Sequence, residues 1–439
     1  MKKITSTALA LSLMGAASVY ADALTLYTDT STGQVYTTPG EGRTPLELNK
    51  GSVTILDQKS PDFLLGKATH INMKFVPDDN QDMWLKAGVR VQGTFEDKTT
   101  DYNDPTKEDV RLSDGYLRRV RFEVAAGFNK YASFVMDVRN DKANYEDDGE
   151  GEFNVGDAYV KISKPFDTSL VNFKLYRGKI DVSRTETVKS AFVIHYDRPH
   201  VADEAAQFIS HNRRASNVQV YGDWKKKIHY QFAFGDGVQS GKLKDAGGSK
   251  FDGDDMMQEN FFYGGKVVLS PFDGWEETKR TETYFGKGKH LALGVAYWNS
   301  PGIVYDYNGT IGQTVDHTLI NVELSGHYEG FFAQAEYFDF DGVVKDWEQL
   351  ETGKSNGWYA TAEYVIESLG YIAPYARYES WNKFEDEKGY DLTSRLYGIN
   401  WYVQGNTIKT GLTYQTDEYG EAIGDKEVKS IKLTSQWFF

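Results

Sequence analysis

A chain of 439 residues with 64 acidic and 49 basic side chains carries a formal charge of −15, which repels nucleic-acid phosphates and sets polynucleotide binding aside. It has no cysteine, so neither a disulfide framework nor a thiolate metal site holds it together. Aromatic residues make up 14% of it, 29 Tyr, 25 Phe and 9 Trp, at a mean hydropathy of −0.55; a soluble protein this polar rarely carries so many large rings, whereas a membrane barrel needs them at both interfaces.

Met1-Lys2-Lys3 gives a short basic start, followed by an apolar run from Ala8 to Val19 and the small-residue site Val19-Tyr20-Ala21. This layout predicts a secretory signal peptide over 1–21, cleaved after Ala21. Removing it takes away two lysines and no acid, so the mature charge becomes −17. No later stretch approaches the roughly 20 apolar residues of a helical span. Residues 22–80 are rich in Thr, Gly and Pro, with short apolar runs at Ala23–Tyr27 and Val53–Leu56, and are expected to form a periplasmic N-terminal extension.

From Trp84 onward, segments with strand periodicity alternate with turn chemistry. They are expected at roughly 84–96, 115–127, 129–139, 153–164, 169–178, 214–224, 226–238, 258–270, 289–300, 315–328, 330–341, 355–368, 371–383, 392–404, 407–417 and 428–439. That is about sixteen, the even number that a closed barrel with both ends periplasmic requires. Tight joints near Phe128-Asn129, Trp224-Lys225, Glu329-Gly330, Leu369-Gly370 and Gly405-Asn406 alternate with longer polar links. The link 271–288 is the exception, long where a tight periplasmic turn belongs.

Facing patterns agree. In the first strand Leu85, Ala87, Val89, Val91 and Phe95 alternate with Lys86, Arg90, Gln92 and Glu96. In the second, Val120, Phe122 and Val124 alternate with Arg119, Arg121 and Glu123. A charge on the lipid side costs about 2–4 kcal/mol at the midplane, so the polar face must line the lumen. In the last strand Ile431, Leu433, Trp437 and Phe439 share one face, while Lys432, Thr434 and Gln436 share the other. Bacterial outer-membrane barrels end on such an aromatic strand, which their assembly machinery reads. The expected fold is therefore all-β: a transmembrane antiparallel β-barrel of about 16 strands over 82–439, with a long constriction loop folded into the lumen.

The barrel region resembles the phosphate-selective porins O and P over most of 82–439. The resemblance is carried by Leu85–Gln92, Tyr116–Glu123, Val171–Gly178, Ala333–Tyr337, Gly357–Ala360 and Gly398–Tyr402. It implies a sixteen-stranded barrel, usually a homotrimer, that conducts small anions without an energy source. By residue match it assigns pore-lining and anion-binding roles to Arg90, Arg118 and Arg119; Arg121, on the same polar face of the second strand, is expected to join them. Arg177 and Lys179 lead into the loop 179–213, which with the adjoining Arg214 carries Arg184, Lys189, Arg198 and Arg213 as well as Asp181, Glu186, Asp197, Asp203 and Glu204. One departure weakens the phosphate label. The stretch 301–314, where phosphate-selective members bear an arginine-rich funnel, has no Lys or Arg and has Asp306.

The expected function is an outer-membrane porin for passive diffusion of small hydrophilic solutes, with an anion preference set by lumenal Arg and Lys. The alternative is a structural or partner-holding barrel whose 22–80 extension docks another envelope protein. Expected partners are small solutes or anions, outer-membrane lipid and lipopolysaccharide, further copies of the chain, and the barrel-assembly machinery acting through the strand ending in Phe439. No catalytic residue, cofactor or metal is expected. Gly-x-Ser-x-Gly and His-Glu-x-x-His are absent, three loop histidines (His195, His200, His211) lack metal-site spacing, and the acidic run Glu146–Glu152 does not match a calcium loop.

Overall fold

The computed structural model describes residues 82–143, 153–210, 213–237, 260–272, 281–283, 289–307, 310–346 and 351–438, with a few shorter pieces. The chain divides into two compact units. In the N-terminal unit, Tyr27–Asp29 pairs antiparallel with both Val35–Tyr36 and Arg43–Pro45. The signal segment 1–21 and the rest of the 22–80 extension lie outside the described residues.

The second unit is a closed barrel. Its strands are β1 (Trp84–Tyr102), β2 (Val110–Gly127), β3 (Ala132–Ala143), β4 (Asn154–Ile162), β5 (Asn172–Arg177), β6 (Ser216–Trp224), β7 (Ile228–Gly235) and β8 (Phe262–Leu269). They continue with β9 (Lys289–Tyr307), β10 (Thr310–Tyr328), β11 (Phe331–Asp346), β12 (Glu351–Tyr364), β13 (Ile372–Asn382), β14 (Asp391–Asn406), β15 (Ile408–Tyr419) and β16 (Lys426–Phe438). Each pairs antiparallel with its sequence neighbours, and β16 closes on β1 from Phe438 opposite Arg90 to Lys426 opposite Tyr102. A two-residue piece, Met257–Gln258, pairs with β9 beyond the end of β8. Closure leaves no open edge, the condition for a sheet to sit in lipid.

The predicted alternation of faces is present. Phe95 is 69% exposed, while Arg90, Gln92 and Glu96 are buried inside. Ile431, Leu433 and Trp437 are exposed outside, and Thr434 and Gln436 are buried inside; Phe439 lies outside the described residues. At the end nearest both termini the β2–β3, β6–β7, β10–β11 and β14–β15 joints are tight. Between β6 and β7, three residues suffice: Lys225 and Lys226 hold φ of 54° and 57°, the paired left-handed geometry that matches the twist of a hairpin, and the Lys227 N–H donates to the Trp224 carbonyl at 3.0 Å.

Two predicted links differ. The stretch 301–314 is mostly strand: β9 runs to Tyr307 and β10 begins at Thr310, with register shifts between Ser300 and Ile303 and between Val304 and Asp306. The hairpin continues past the predicted strand ends, bulging as it goes, because paired backbone needs no apolar face once it is in water. The long exception 271–288 also has an explanation. Thr281, Glu282, Thr283 and Phe285 are buried, the Glu282 N–H donates to the Phe192 carbonyl, and Phe285 packs edge-on against Tyr402. These four residues pack inside the barrel.

Candidate functional site

Between β5 and β6 the chain leaves the wall and folds into the barrel. Both points of departure use left-handed backbone, Tyr176 at φ 81° and Arg213 at φ 68°. Within the excursion lie a single turn, α1 (Arg184–Thr187), and a two-turn helix, α2 (His200–Phe208). Helix α2 buries Val201, Ala202, Ala205, Ala206 and Phe208 against Trp298, Leu319, Phe338, Phe340, Tyr359, Trp381 and Leu392 from β9 to β14. Phe208 stacks on His317 at 4.0 Å between centroids, and the Phe208 carbonyl accepts from the same imidazole at 2.9 Å. Wall carboxylates receive the excursion's free N–H groups. Glu379 accepts from His200 and Val201 at the start of α2, Glu323 from Arg184, and Glu336 from Thr185. Negative groups at a helix start complement its dipole as well as its unpaired donors.

The other side of the excursion faces a cavity of about 820 Å³ bounded by β1 to β7. Thirteen Arg and Lys side chains line it against six carboxylates. In a chain whose net charge is −15, this concentrates positive charge around one cavity.

Of the eight predicted site residues, Arg90, Arg118, Arg119, Arg121, Lys179 and Lys189 border this cavity. Arg177 instead donates to the Gly156 carbonyl at 2.9 Å, and Arg184, 3% exposed, donates to the Thr281 carbonyl at 2.7 Å on the filled side. Period two alone would send one of Arg118 and Arg119 outward. A bulge prevents this: Gln92 faces Arg119 and Gly93 faces Leu117, so Arg118 is the extra residue and both arginines reach the interior.

The cations are partly spoken for. Arg90 pairs with Glu123, donates to Ser190 Oγ at 2.6 Å and lies over the Phe438 ring. Lys189 meets Glu123 at 3.1 Å, Arg121 meets Asp141 at 2.7 Å, and Arg118 meets Asp197 at 2.8 Å. Lys179, Arg198 and Arg213 converge on Glu186, which is 1% exposed. Burial by itself would raise the Glu186 carboxyl pKa, but Arg198, Lys179 and Arg213 hold it well below the usual range. Burial would likewise raise Asp197, and Lys432 with Arg118 reverse it. Arg119 differs. It donates to Gln92 at 2.9 Å and to the Tyr196 carbonyl at 3.0 Å, with no carboxylate in ion-pair range among the described residues.

Sequence reasoning missed Arg139, Lys142, Lys161 and Lys174, and it noted Arg198, Arg213 and Arg214 only as loop charges. A usable signal existed. Asp137-x-Arg139-x-Asp141, Tyr159-x-Lys161 and Asn172-x-Lys174 repeat the polar period of the first two strands. Among the described residues no group of histidines and carboxylates has metal-binding geometry.

No family model matches the chain, and no curated protein matches it. Solved structures match its architecture. The outer membrane channel DcaP of Acinetobacter baumannii is 10% identical, covering 83% of this chain and 99% of that one at a TM-score of 0.53. OprB of Pseudomonas putida is 12% identical, covering 81% and 94% at 0.50. OmpF of Salmonella typhi, in complex with daunomycin, is 12% identical, covering 81% and 98% at 0.48. At these identities the likeness is one of fold, and the class it defines is the closed, antiparallel, sixteen-stranded outer-membrane barrel.

Proposed function

We propose that this chain is an outer-membrane porin that lets small hydrophilic solutes diffuse passively and favours anions. The observation that carries this is the excess of thirteen cations over six carboxylates around a lumenal cavity in an acidic chain. Arg90, Arg118, Arg119, Arg121, Lys179 and Lys189 contribute to that field, and Arg139, Lys161 and Lys174 extend it along β3 to β5. Many of these charges are paired, and 301–314 supplies no basic funnel, so moderate anion preference without tight phosphate block is the expected behaviour. A signal peptide over 1–21, a periplasmic extension over 22–80 and recognition of the terminal strand by assembly machinery belong to the same reading.

A homotrimer is part of it too. Strand β5 has six residues, fewer than the roughly 9–11 that a lipid-facing strand needs. Around it the outward positions are Ala158, Val160, Phe173, Leu175, Val218 and Val220. Over β8 to β16 the outside carries exposed Tyr263, Tyr297, Tyr337, Trp358, Tyr397 and Trp401. A low wall whose outward side chains are mostly aliphatic suits contact with another copy better than contact with lipid.

The test is planar-bilayer recording of the purified protein under a potassium chloride gradient. Stepwise currents with a reversal potential on the chloride side are expected. A cation-selective channel would overturn the basic-wall reading, and silence at high salt would favour a partner-holding barrel.

A further inference from the structure

The segment 190–197 crosses the lumen as neither helix nor strand, so its backbone polar groups need partners from outside the segment. They find them in the wall. The Ser190 carbonyl accepts from Gln92 of β1 at 2.9 Å, and that of Ala191 from Gln436 of β16 at 3.0 Å. Val193 accepts from Lys409 of β15 at 2.6 Å; Ile194 accepts from Lys409 at 3.2 Å and from Asn400 of β14 at 3.0 Å. Tyr196 accepts from Arg119 of β2 at 3.0 Å, and Asp197 from Arg377 of β13 at 2.9 Å. The Phe192 carbonyl is taken by the Glu282 N–H of the second inward segment.

Six side chains on six different strands thus hold six main-chain carbonyls of one eight-residue crossing. We propose that these wall residues are positioning residues that fix the partition of the lumen by its backbone, with Lys409 as the principal one. Lys409 is 1% exposed, serves two carbonyls, and lies 4.7 Å from the Tyr196 ring centroid and 5.6 Å from that of Tyr402. It is not among the residues that line the basic cavity. The wall addresses main-chain atoms all along the crossing and side chains only at its two ends, where Ser190 meets Arg90 and Asp197 meets Arg118 and Lys432, so the path between those ends is held by its backbone. Loss of a wall donor moves the partition and so changes the cross-section. Arg119 then acts through the Tyr196 carbonyl as well as through its charge.

The conductance arm of the test rests on the porin reading; a proteolysis arm does not. Full-length protein folded in detergent is compared as wild type, K409M, K409R, N400L and Q436L, with heat-modifiable migration confirming an intact barrel. Trypsin cleavage after Lys189 and Arg198 should be about tenfold faster in K409M, slightly faster in N400L and Q436L, and near wild type in K409R, where a donor is restored. In bilayers K409M should give a broadened conductance distribution that K409R narrows again. The uncharged swaps N400L and Q436L should change conductance while leaving the reversal potential where it was. If K409M does not fold, N400L and Q436L carry the same expectation. Wild-type protection and conductance in every variant that folds, or K409R behaving like K409M, would overturn the inference. Silent wild-type channels with cleavage rates as expected would overturn the porin reading alone.

Discussion

The two walls of the lumen use the same inward period-two positions for opposite purposes. On β1 to β6 those positions carry Arg90, Arg119, Arg121, Lys161 and Lys174, and the space in front of them is open. On β9 to β14 they carry Trp298, Leu319, Phe338, Phe340, Trp381 and Leu392, and α2 fills the space. A bare ring of large apolar residues inside a wet barrel would forfeit the burial free energy of each, about 1.5–3 kcal/mol per side chain. Covering them with α2 recovers it and anchors the excursion against the far wall. The polar groups on the filled side, Glu323, Glu336 and Glu379, receive backbone N–H groups. One wall is thus a core and the other a surface, and the difference lies in what stands opposite each.

Breaking the filled wall should have the largest effect. Ala205→Asp places a carboxylate at a fully buried position of α2 at a cost of several kcal/mol, and α2 should leave its cradle while the barrel stays closed. Rapid trypsin cleavage within 179–213, with heat-modifiable migration retained, is the expected result. Unchanged protection would show that α2 does not anchor the excursion.

Next comes the joint between the walls. Lys266 meets Asp181 at 2.9 Å and Glu323 at 2.6 Å, all three nearly sealed from solvent. Lys266→Met leaves two carboxylates facing each other, for a loss of roughly 3–5 kcal/mol. A clear drop in thermal unfolding midpoint is expected, and Lys266→Arg should restore part of it.

The open wall should respond in selectivity more than in stability. Replacing Arg121 and Arg139 together by Gln removes two cavity charges, each worth on the order of 1–4 kcal/mol to an ion about 4 Å away, depending on how wet the passage is. Anion-over-cation permeability should fall in reversal-potential measurements, with channels still forming. A ratio equal to wild type would remove β2 and β3 from the selectivity mechanism.

The smallest effect concerns pH. The Asp197 carboxyl is held well below its ordinary value, so the stability it contributes is complete above the unfolded value of about 3.9 and is lost only as pH falls through the lower, folded one. His195, lowered to about 3 by burial, adds no charge change on the way. Protection of the 190–197 amides from hydrogen exchange, referred to the chemical rate at each pH, should therefore persist down to about pH 4. Release between pH 7 and 5 would mean that other groups govern docking.

The barrel was legible in the residues alone. Sixteen alternating segments, tight joints at one end and an aromatic last strand arise from local rules: side chains alternate with period two, lipid rejects charge, and closure satisfies the backbone. Those rules read Leu85 to Glu96 and Ile431 to Trp437 correctly because each polar face there is unambiguous. They fall silent on β11, where Phe331 and Tyr337 face outward while Phe332, Phe338 and Phe340 face inward. Both faces are aromatic, and only the excursion, with α2 against Phe338 and Phe340 and Ile194 against Phe332, tells them apart. The same holds for Arg118, turned inward by a one-residue bulge, and for Thr281, Glu282, Thr283 and Phe285, which leave the expected periplasmic side to pack in the lumen. Periodicity is a property of neighbours along the chain. Which half of the lumen is filled, and which cations remain around open space, depends on contacts between residues 100 or more positions apart, such as Ser190 with Arg90, Ile194 with Asn400, and Lys409 with Val193. Those contacts come only with the folded chain, because a buried carbonyl or apolar ring is stabilised by the groups facing it across the lumen and not by its neighbours along the backbone.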